Sequence, residues 1–503
     1  MIYFAIFHVE LQKYSVMRKR FEQQISLGQL LIQDTVIPLA KRGGRLPALC
    51  AALKEIFITP EWNEQVFEVL ESKILSSNNN TGRPGMDLWQ IFVLSQVRLC
   101  MNISYDELHH YANYDKLIRQ IMGIETKDSF DEQSLGYQRI IDNVGLLNDE
   151  TVKELNQIIV KFGQGVFKKK EEEALCLKTD SFVVESNVHF PTDYNLLWDC
   201  ARKCLDMIKA LQKKYNNDIQ GWRKTMDWHR ELKNQMRALG RANGSGGKGK
   251  DDRQKKAAQK YLNKATLLLT KLETSRPTLP QNDLGDFLII VQLSHYMKLL
   301  AKHIDLVERR IIKGEKIPHE EKLFSIFEPY TEWVTKGKLR PNVELGKKVA
   351  ITTDQFDLIV DYYILENQSD SQIFVELVER IILQNTIKSW SFDKGFWHPD
   401  NKKLLKEITE TAVLPKKGKR NKAEEEEERK PLFKKLRNKH SAVESNINEL
   451  EHRGLNRCPD KGYANFKRYI GLAVCAYNLK KIGEQIIILL RKQQEIPLSK
   501  NAA

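Results

Sequence analysis

The sequence predicts an α+β, mixed fold: helices first, then a mixed α/β domain broken after its opening strand by a large helical insertion. Three observations predict it. Short β-branched and aromatic runs occur at 174–190, 347–354, 356–365, 387–396 and 410–420. The stretches before the first run, and between it and the second, instead repeat apolar residues every three or four positions. Finally, an amphipathic segment at 369–384 separates the hairpin-like second and third runs from the fourth, which gives the order strand, strand, strand, helix, strand, strand, helix.

In chain order, residues 17–168 read as a helical N-terminal DNA-binding region. Asp87 stands where an N-cap belongs, before the helical stripe LWQIFVLSQVRLC (88–100), and YDELHHYAN and KLIRQIMG follow after tight turns. Three such helices suit a helix-turn-helix unit or an ordinary bundle equally. Residues 169–191 and 340–485 compose the mixed α/β domain, 192–339 the helical insertion, and 486–503 a C-terminal tail. Within the insertion, LLWDCARKCLDMIKALQKKY and its successors read as long helices, and the Gly-rich GRANGSGGKGKDD (240–252) as the exposed tip of a helical hairpin. Asp193 in VHFPTD is expected to cap the helix that follows, with His189 nearby, and the segment 369–384 is expected to start with a good N-cap. Met17 opens MRKRFEQQ and is an alternative start, on which residues 1–16 would be an annotation extension.

The chain has 503 residues, of which 41% are apolar, so a sizeable core is available. Lys and Arg number 80 against 66 acids, a formal charge of +14 spread along the chain, which favours a polyanionic partner. Seven irregularly spaced cysteines make no disulfide framework, and Cys200 and Cys204, one helical turn apart, read as small helix residues. No run of eighteen apolar residues is evident, so no membrane span is expected, and the leader MIYFAIF lacks the basic start of a signal peptide.

The candidate chemistry rests on acids. Asp180 follows ALCLKT and Asp393 follows SWSF, both read as strand ends, where mixed sheets place functional side chains. Glu444 lies in a helical segment, SAVESNINELEHRG (441–454). Three converging carboxylates repel unless cations lie between them, and Mg²⁺ takes such oxygen ligands. Taken singly, each acid reads first as a solvated surface carboxylate or a helix cap. Basic residues that could meet phosphate are Arg83, Lys394, Arg453 and Arg457, each read equally as solvent-facing. His440, one turn before Glu444, could face the same site, but a surface histidine is the first reading. Asp460 repeats the DKG of Asp393 within RCPDKGY, read as a structural loop, and the run Glu424–Glu428 reads as a solvated helix face.

Five blocks carry a family resemblance over roughly residues 80–485. They are TGRPGMDLWQIFVLSQVRLCMNISYDELHHYA, KTDSFVVESNVHFPTDYNLL, FEPYTEWVTKGKLRPNVELGKKVAIT, SFDKGF and HSAVESNINELEHRGLNRCPDKGYANFKRYIGLAVCAYNLKKIG. With these blocks the chain resembles bacterial insertion-sequence transposases of the DDE type, most of all an ISNCY-like group, with a ribonuclease-H-like catalytic core. The resemblance implies that Asp180, Asp393 and Glu444 are both the catalytic and the metal residues. They would hold two Mg²⁺ ions, replaceable by Mn²⁺, with Asp180 and Asp393 sharing both ions and Glu444 completing one site. It further implies cleavage at the element's ends and strand transfer into target DNA. The partners implied are terminal inverted repeats and target DNA, bound by a homodimer or larger assembly, in the bacterial cytoplasm near the nucleoid. One departure stands out: around Glu444 lie Arg437, His440, Ser441 and Glu451, not the Tyr-Arg-Glu-Lys pattern of some relatives. Two alternatives remain: a ribonuclease-H-like endonuclease without strand transfer, and a catalytically inactive, domesticated DNA-binding transposase.

Overall fold

A computed structural model describes residues 20–21, 30–39, 44–74, 85–124, 135–170, 173–335 and 343–494. Two compact units emerge: one from Met1–Asn187 with Val334–Ala503, the other from Val188–Trp333.

The first unit begins with helices α1 (Arg45–Ile58), α2 (Pro60–Ile74), α3 (Leu88–Met101), α4 (Tyr105–Tyr114), α5 (Lys116–Ile121), α6 (Tyr137–Val144) and α7 (Asp149–Val166). Local chemistry sets several starts. Ser104 and Glu107 form a reciprocal capping box on α4, Asp115 caps α5 and Asn148 caps α7. Asp87 does stand at the N-cap of α3, but its side chain makes no capping bond. Helix α3 is buried nearly all round, from Leu88 to Cys100. It is therefore a core helix rather than one presented to a DNA groove.

Strand β1 (Leu175–Glu185) opens the sheet, and the chain returns to it after the second unit. That second unit is helical: α8 (Asp193–Lys214), α9 (Thr225–Gly244), α10 (Lys250–Ser275) and α11 (Leu284–Val307). Its core joins Leu197, Cys200, Cys204, Leu232, Tyr261, Leu268, Leu293 and Leu300. Residues 245–249, between α9 and α10, are exposed. Asp193 is not the cap of α8. Thr192 is, accepting the Asn195 N–H, while Asp193 sits in the first turn and pairs with Arg310 at 2.5 Å. A β-region Thr one position earlier already supplies the oxygen, leaving the carboxylate for the cation. Leu284–Ile312 has no unbroken run of eighteen apolar residues, as expected, but an eighteen-residue window within it reaches a mean hydropathy of 1.2, enough by length and composition alone to cross a membrane. One face of it packs in the helical core through Ile290, Leu293, Met297 and Leu300.

The remaining elements are β2 (Glu332–Thr335), β3 (Val343–Thr353), β4 (Ile359–Ile364), α12 (Phe374–Ile382), β5 (Ile387–Phe392), α13 (Pro399–Ile408), β6 (Thr411–Val413), α14 (Lys422–Arg429), α15 (Pro431–Lys439), α16 (Ser441–Leu450) and α17 (Tyr463–Gln494). The six strands run β2–β3–β1–β5–β6, with β4 also on β3. β1 pairs antiparallel with β3 and parallel with β5, so the sheet is mixed, as expected. β3 and β4 form the expected antiparallel hairpin. Leu175, Leu177, Trp390 and Phe392 pack on Phe374, Leu377 and Val378 of α12. This burial is what holds the strands in register.

Three local readings change. Helix α12 begins at Phe374, not at 369, and its N-cap Ile373 makes no side-chain bond. Ser369 instead holds a turn through Gln372, its backbone N–H donating to Oε1 at 2.7 Å. Helix α13 was not anticipated, although Pro399 at its first position and the His398 ring accepting the Asp400 N–H are ordinary start signals. The charged stretch 422–439 is two helices, because Pro431 opens a second one.

The long helix α17 packs against α1, α3 and α7. Its Asn478 accepts the Ile359 N–H at 2.8 Å and donates to Asn156 of α7 at 2.8 Å. This buried amide pair ties β4, and through it the sheet, to two helices. Close approach is also needed: a Cβ on Gly483 would lie 1.7 Å from the Ala48 carbonyl oxygen of α1.

Candidate active site

The parallel pairing of β1 with β5 ends at Thr179 opposite Phe392. The next residue on each strand is an acid, Asp180 and Asp393. The first is not at a strand end, as the sequence suggested, but in mid-strand. β3 continues to pair with β1 from Asp180 opposite Ile351 to Glu185 opposite Gly346. The backbone of Asp180 is thus held on the β3 side and released on the β5 side. Gly346 permits this long pairing, since a Cβ there would fall 1.9 Å from the Val184 carbonyl oxygen.

Asp393 leaves β5 as the N-cap of a short turn, Lys394–Phe396, and its carboxylate accepts the Gly395 N–H at 3.4 Å. Glu444 lies in the first turn of α16, exposed, on a helix that packs against β1. Burial pushes the Asp180 carboxyl up to about 7; the Ser181 N–H, donating at 2.7 Å, opposes this, and the charges of Asp393, Glu444 and Asp370 add to it. Glu444 and Asp393 are therefore both within electrostatic reach of Asp180.

Asp370 is an acid that the sequence reading passed over. It is buried, its Oδ2 sits 2.5 Å from Lys348 Nζ, and a Cβ on Gly395 would lie 2.7 Å from that same oxygen. Asp370 thus lies beneath the turn that carries Asp393. No local pattern announced it, because Asp370 reads as a helix-start residue in SDSQ until the tertiary contact with Lys348 is known.

His440, first read as a surface side chain, is largely buried between α15 and α16. Its Nδ1 lies 3.0 Å from Ser391 Oγ. Burial lowers its pKa to about 4, against the opposing pull of Asp393, so the ring is neutral at pH 7. Ser391 is two residues before Asp393, which brings His440 to the acid site as a neutral hydrogen-bonding group.

The other basic residues differ. Lys394 is exposed beside Asp393. Arg453 is mostly buried and paired with Glu449 at 2.6 Å, so it is not solvent-facing. Arg457 is exposed on the segment whose backbone bridges to Glu185. Arg83 lies outside the described residues. Asp460 forms a two-pronged pair with the buried Arg98 of α3, at 2.6 and 2.9 Å. In the acidic run, Glu428 is buried and paired with Arg420 at 2.9 Å, so that side of α14 is not a solvated face.

Among the described residues, no three His, Cys, Asp or Glu side chains stand close enough together to hold a metal ion as they are. The donor chemistry nonetheless fits a hard cation. Every candidate ligand is a carboxylate oxygen, and the charges of Asp393 and Glu444 both act on Asp180.

No curated protein and no solved structure matches this chain. Residues 315–479 match the family model of the transposase DDE domain, a span that contains Asp370, Asp393, His440 and Glu444 but begins after Asp180, and this match supports a DDE-type transposase family for the chain.

Proposed function

We propose that this chain is a transposase that cuts DNA at the ends of a mobile element and joins the freed 3′ hydroxyls to target DNA. The observation that carries the reading is the register of β1 and β5. It ends at Thr179 and Phe392 and leaves Asp180 and Asp393 as next neighbours, with Glu444 in electrostatic reach. Asp180, Asp393 and Glu444 would hold Mg²⁺, which when bound supplies charge stabilisation to both the attacking and the leaving oxygen. The protein's own part is positioning. β3 keeps the Asp180 backbone fixed while the Gly395 turn sets Asp393. His440, neutral and bonded to Ser391, adds no competing positive charge beside the acids. Lys394 is placed to meet a phosphate next to Asp393. Two element ends must be joined in one event, so a dimer or larger assembly is the working form.

The test uses the full chain, Mg²⁺ and a DNA fragment carrying the sequences that flank the gene. Strand breaks at the element ends, followed by products joined through their 3′ ends to a second DNA, are expected. Asp393→Asn should lower both by at least about a thousandfold while DNA affinity holds. Nicks without joined products would reduce the reading to a nuclease. Cleavage by the Asn variant at the native rate would overturn the site.

A further inference from the structure

In the helical unit Val188–Trp333, helix α11 is apolar on two sides. One side, with Ile290, Leu293, Met297 and Leu300, lies in the core of the unit. The other begins with Leu284, Phe287, Leu288 and Val291, which are 72, 53, 51 and 50% exposed. Steps of three, four and seven residues put these four on one stripe. Among the described residues nothing covers them. Together they offer roughly 400–500 Å² of apolar surface, taking about 200 Å² for a large apolar side chain. A contiguous patch of that size marks a contact surface rather than a scatter of single residues.

The charges around the stripe narrow the occupant. From Leu284 to Met297 the only charged residue is Asp286, and it is buried. At the start of the stripe Asp283 and Asp286 share one lysine, Lys214, at 2.5 and 2.6 Å, so that end keeps a net negative charge. Past the stripe stand Lys298, which is exposed, and Lys302. An anionic lipid surface or a DNA backbone calls for Lys and Arg along the rim, and this rim is acidic at one end and uncharged up to Met297. A charge-free centre that includes a phenylalanine is instead the composition of a protein–protein core. The helix is also polarised along its length. An antiparallel crossing of two copies lays stripe on stripe and brings the acidic start of each helix toward Lys298 of the other, with the helix dipoles opposed. A parallel pair sets like charges together. Doubled across a twofold axis, the stripe gives roughly 900 Å², close to the ~1,000 Å² of a specific interface before any rim is counted.

We infer that the Leu284–Val291 face of α11 is where a second copy of this chain docks, the two α11 helices crossing antiparallel about a twofold axis. The inference rests on the two-copy working form proposed above and gives it a surface. The contact is protein on protein and forms without DNA.

The experiment is sedimentation of the full chain without DNA, from about 1 to 100 µM. The native chain should run as a dimer at the upper end. Phe287→Asp, Leu288→Asp and Val291→Lys, all at outward side chains, should each weaken the dimer at least about a hundredfold while the melting temperature holds. Lys298→Glu should weaken it about two- to thirtyfold, because the pair it reverses occurs twice. Leu383→Asp, at an exposed apolar side chain on the other unit, should leave it intact. A native chain that stays monomeric, or a dimer that survives all three stripe variants, overturns the inference. A dimer lost only with Leu383→Asp places the interface elsewhere and overturns it too. An unchanged dimer in Lys298→Glu overturns the antiparallel arrangement. Native monomer that sediments with phosphatidylglycerol vesicles, while Phe287→Asp does not, assigns the face to lipid and overturns the second copy. A monomer that still cuts and joins element ends removes this face alone. A dimer that fails to cut removes the DNA reading and leaves the face standing.

Discussion

At the residue scale, the acid site is governed by the cost of keeping Asp180 charged. Its carboxyl rises to about 7 in the fold, against about 3.9 in an unfolded chain. The folded state therefore binds the proton more tightly, and stability contributed by this group is present near pH 4 and is lost as pH rises to about 7. In metal-free protein at pH 8, Asp180→Asn should raise stability by roughly 2 to 4 kcal/mol. The gain should vanish near pH 4, where the native carboxyl is neutral. Melting curves of both proteins with a chelator, at the two pH values, check this. An Asn effect of equal size at both would show that Asp180 is not the strained group. Added Mg²⁺ should raise the melting temperature of the native chain and not that of the variant. Asp393→Asn belongs to the same scale, since Asp393 stands in an exposed turn with little packing to lose.

At the scale of elements, close backbone approach decides how the sheet is held. Helix α17 crosses α1 at Gly483, where any side chain meets the Ala48 carbonyl. Gly483→Ala should cost about 1 to 3 kcal/mol as the helices are forced apart. Gly165, in the last turn of α7, has open space where a Cβ would go. There Gly→Ala should be neutral or stabilise by up to about 1 kcal/mol, because alanine loses less entropy in a helix. Denaturant melts of the two variants should thus move in opposite directions. A shift of the same sign would mean that helix propensity, not the α1–α17 crossing, sets the outcome. The strands, the hairpin and the long helices were legible as periodicity. The start of α12 was not, because a turn built by Ser369 and Gln372 and the Lys348–Asp370 pair compete with helix over those residues. Helix α13 was missed because it is short and its apolar positions are few.

For the whole molecule, the charge of +14 is the relevant property. If several of these cations neutralise phosphates, duplex affinity should fall by a factor of about a hundred or more between about 50 and 200 mM salt. Fluorescence anisotropy across that range measures it. An affinity flat with salt would remove phosphate contact as the basis of binding. The charge is visible in composition alone, but its partition is not: Arg98, Arg420 and Arg453 are taken up by Asp460, Glu428 and Glu449, whereas Lys394 is exposed beside Asp393.

By itself the sequence determined the alternation of strand and helix segments, the basic balance, and the acids worth testing, because periodicity and charge are local properties of the chain. It marked Asp180, Asp393 and Glu444 as candidates through the blocks around them. Only the tertiary structure decided that Asp180 lies in mid-strand and meets Asp393 where the parallel pairing stops. Only it showed that Asp370 lies under the Gly395 turn and that His440 is a buried neutral ring. Each of these depends on register and burial, which arise from long-range packing and leave no spacing rule in the chain.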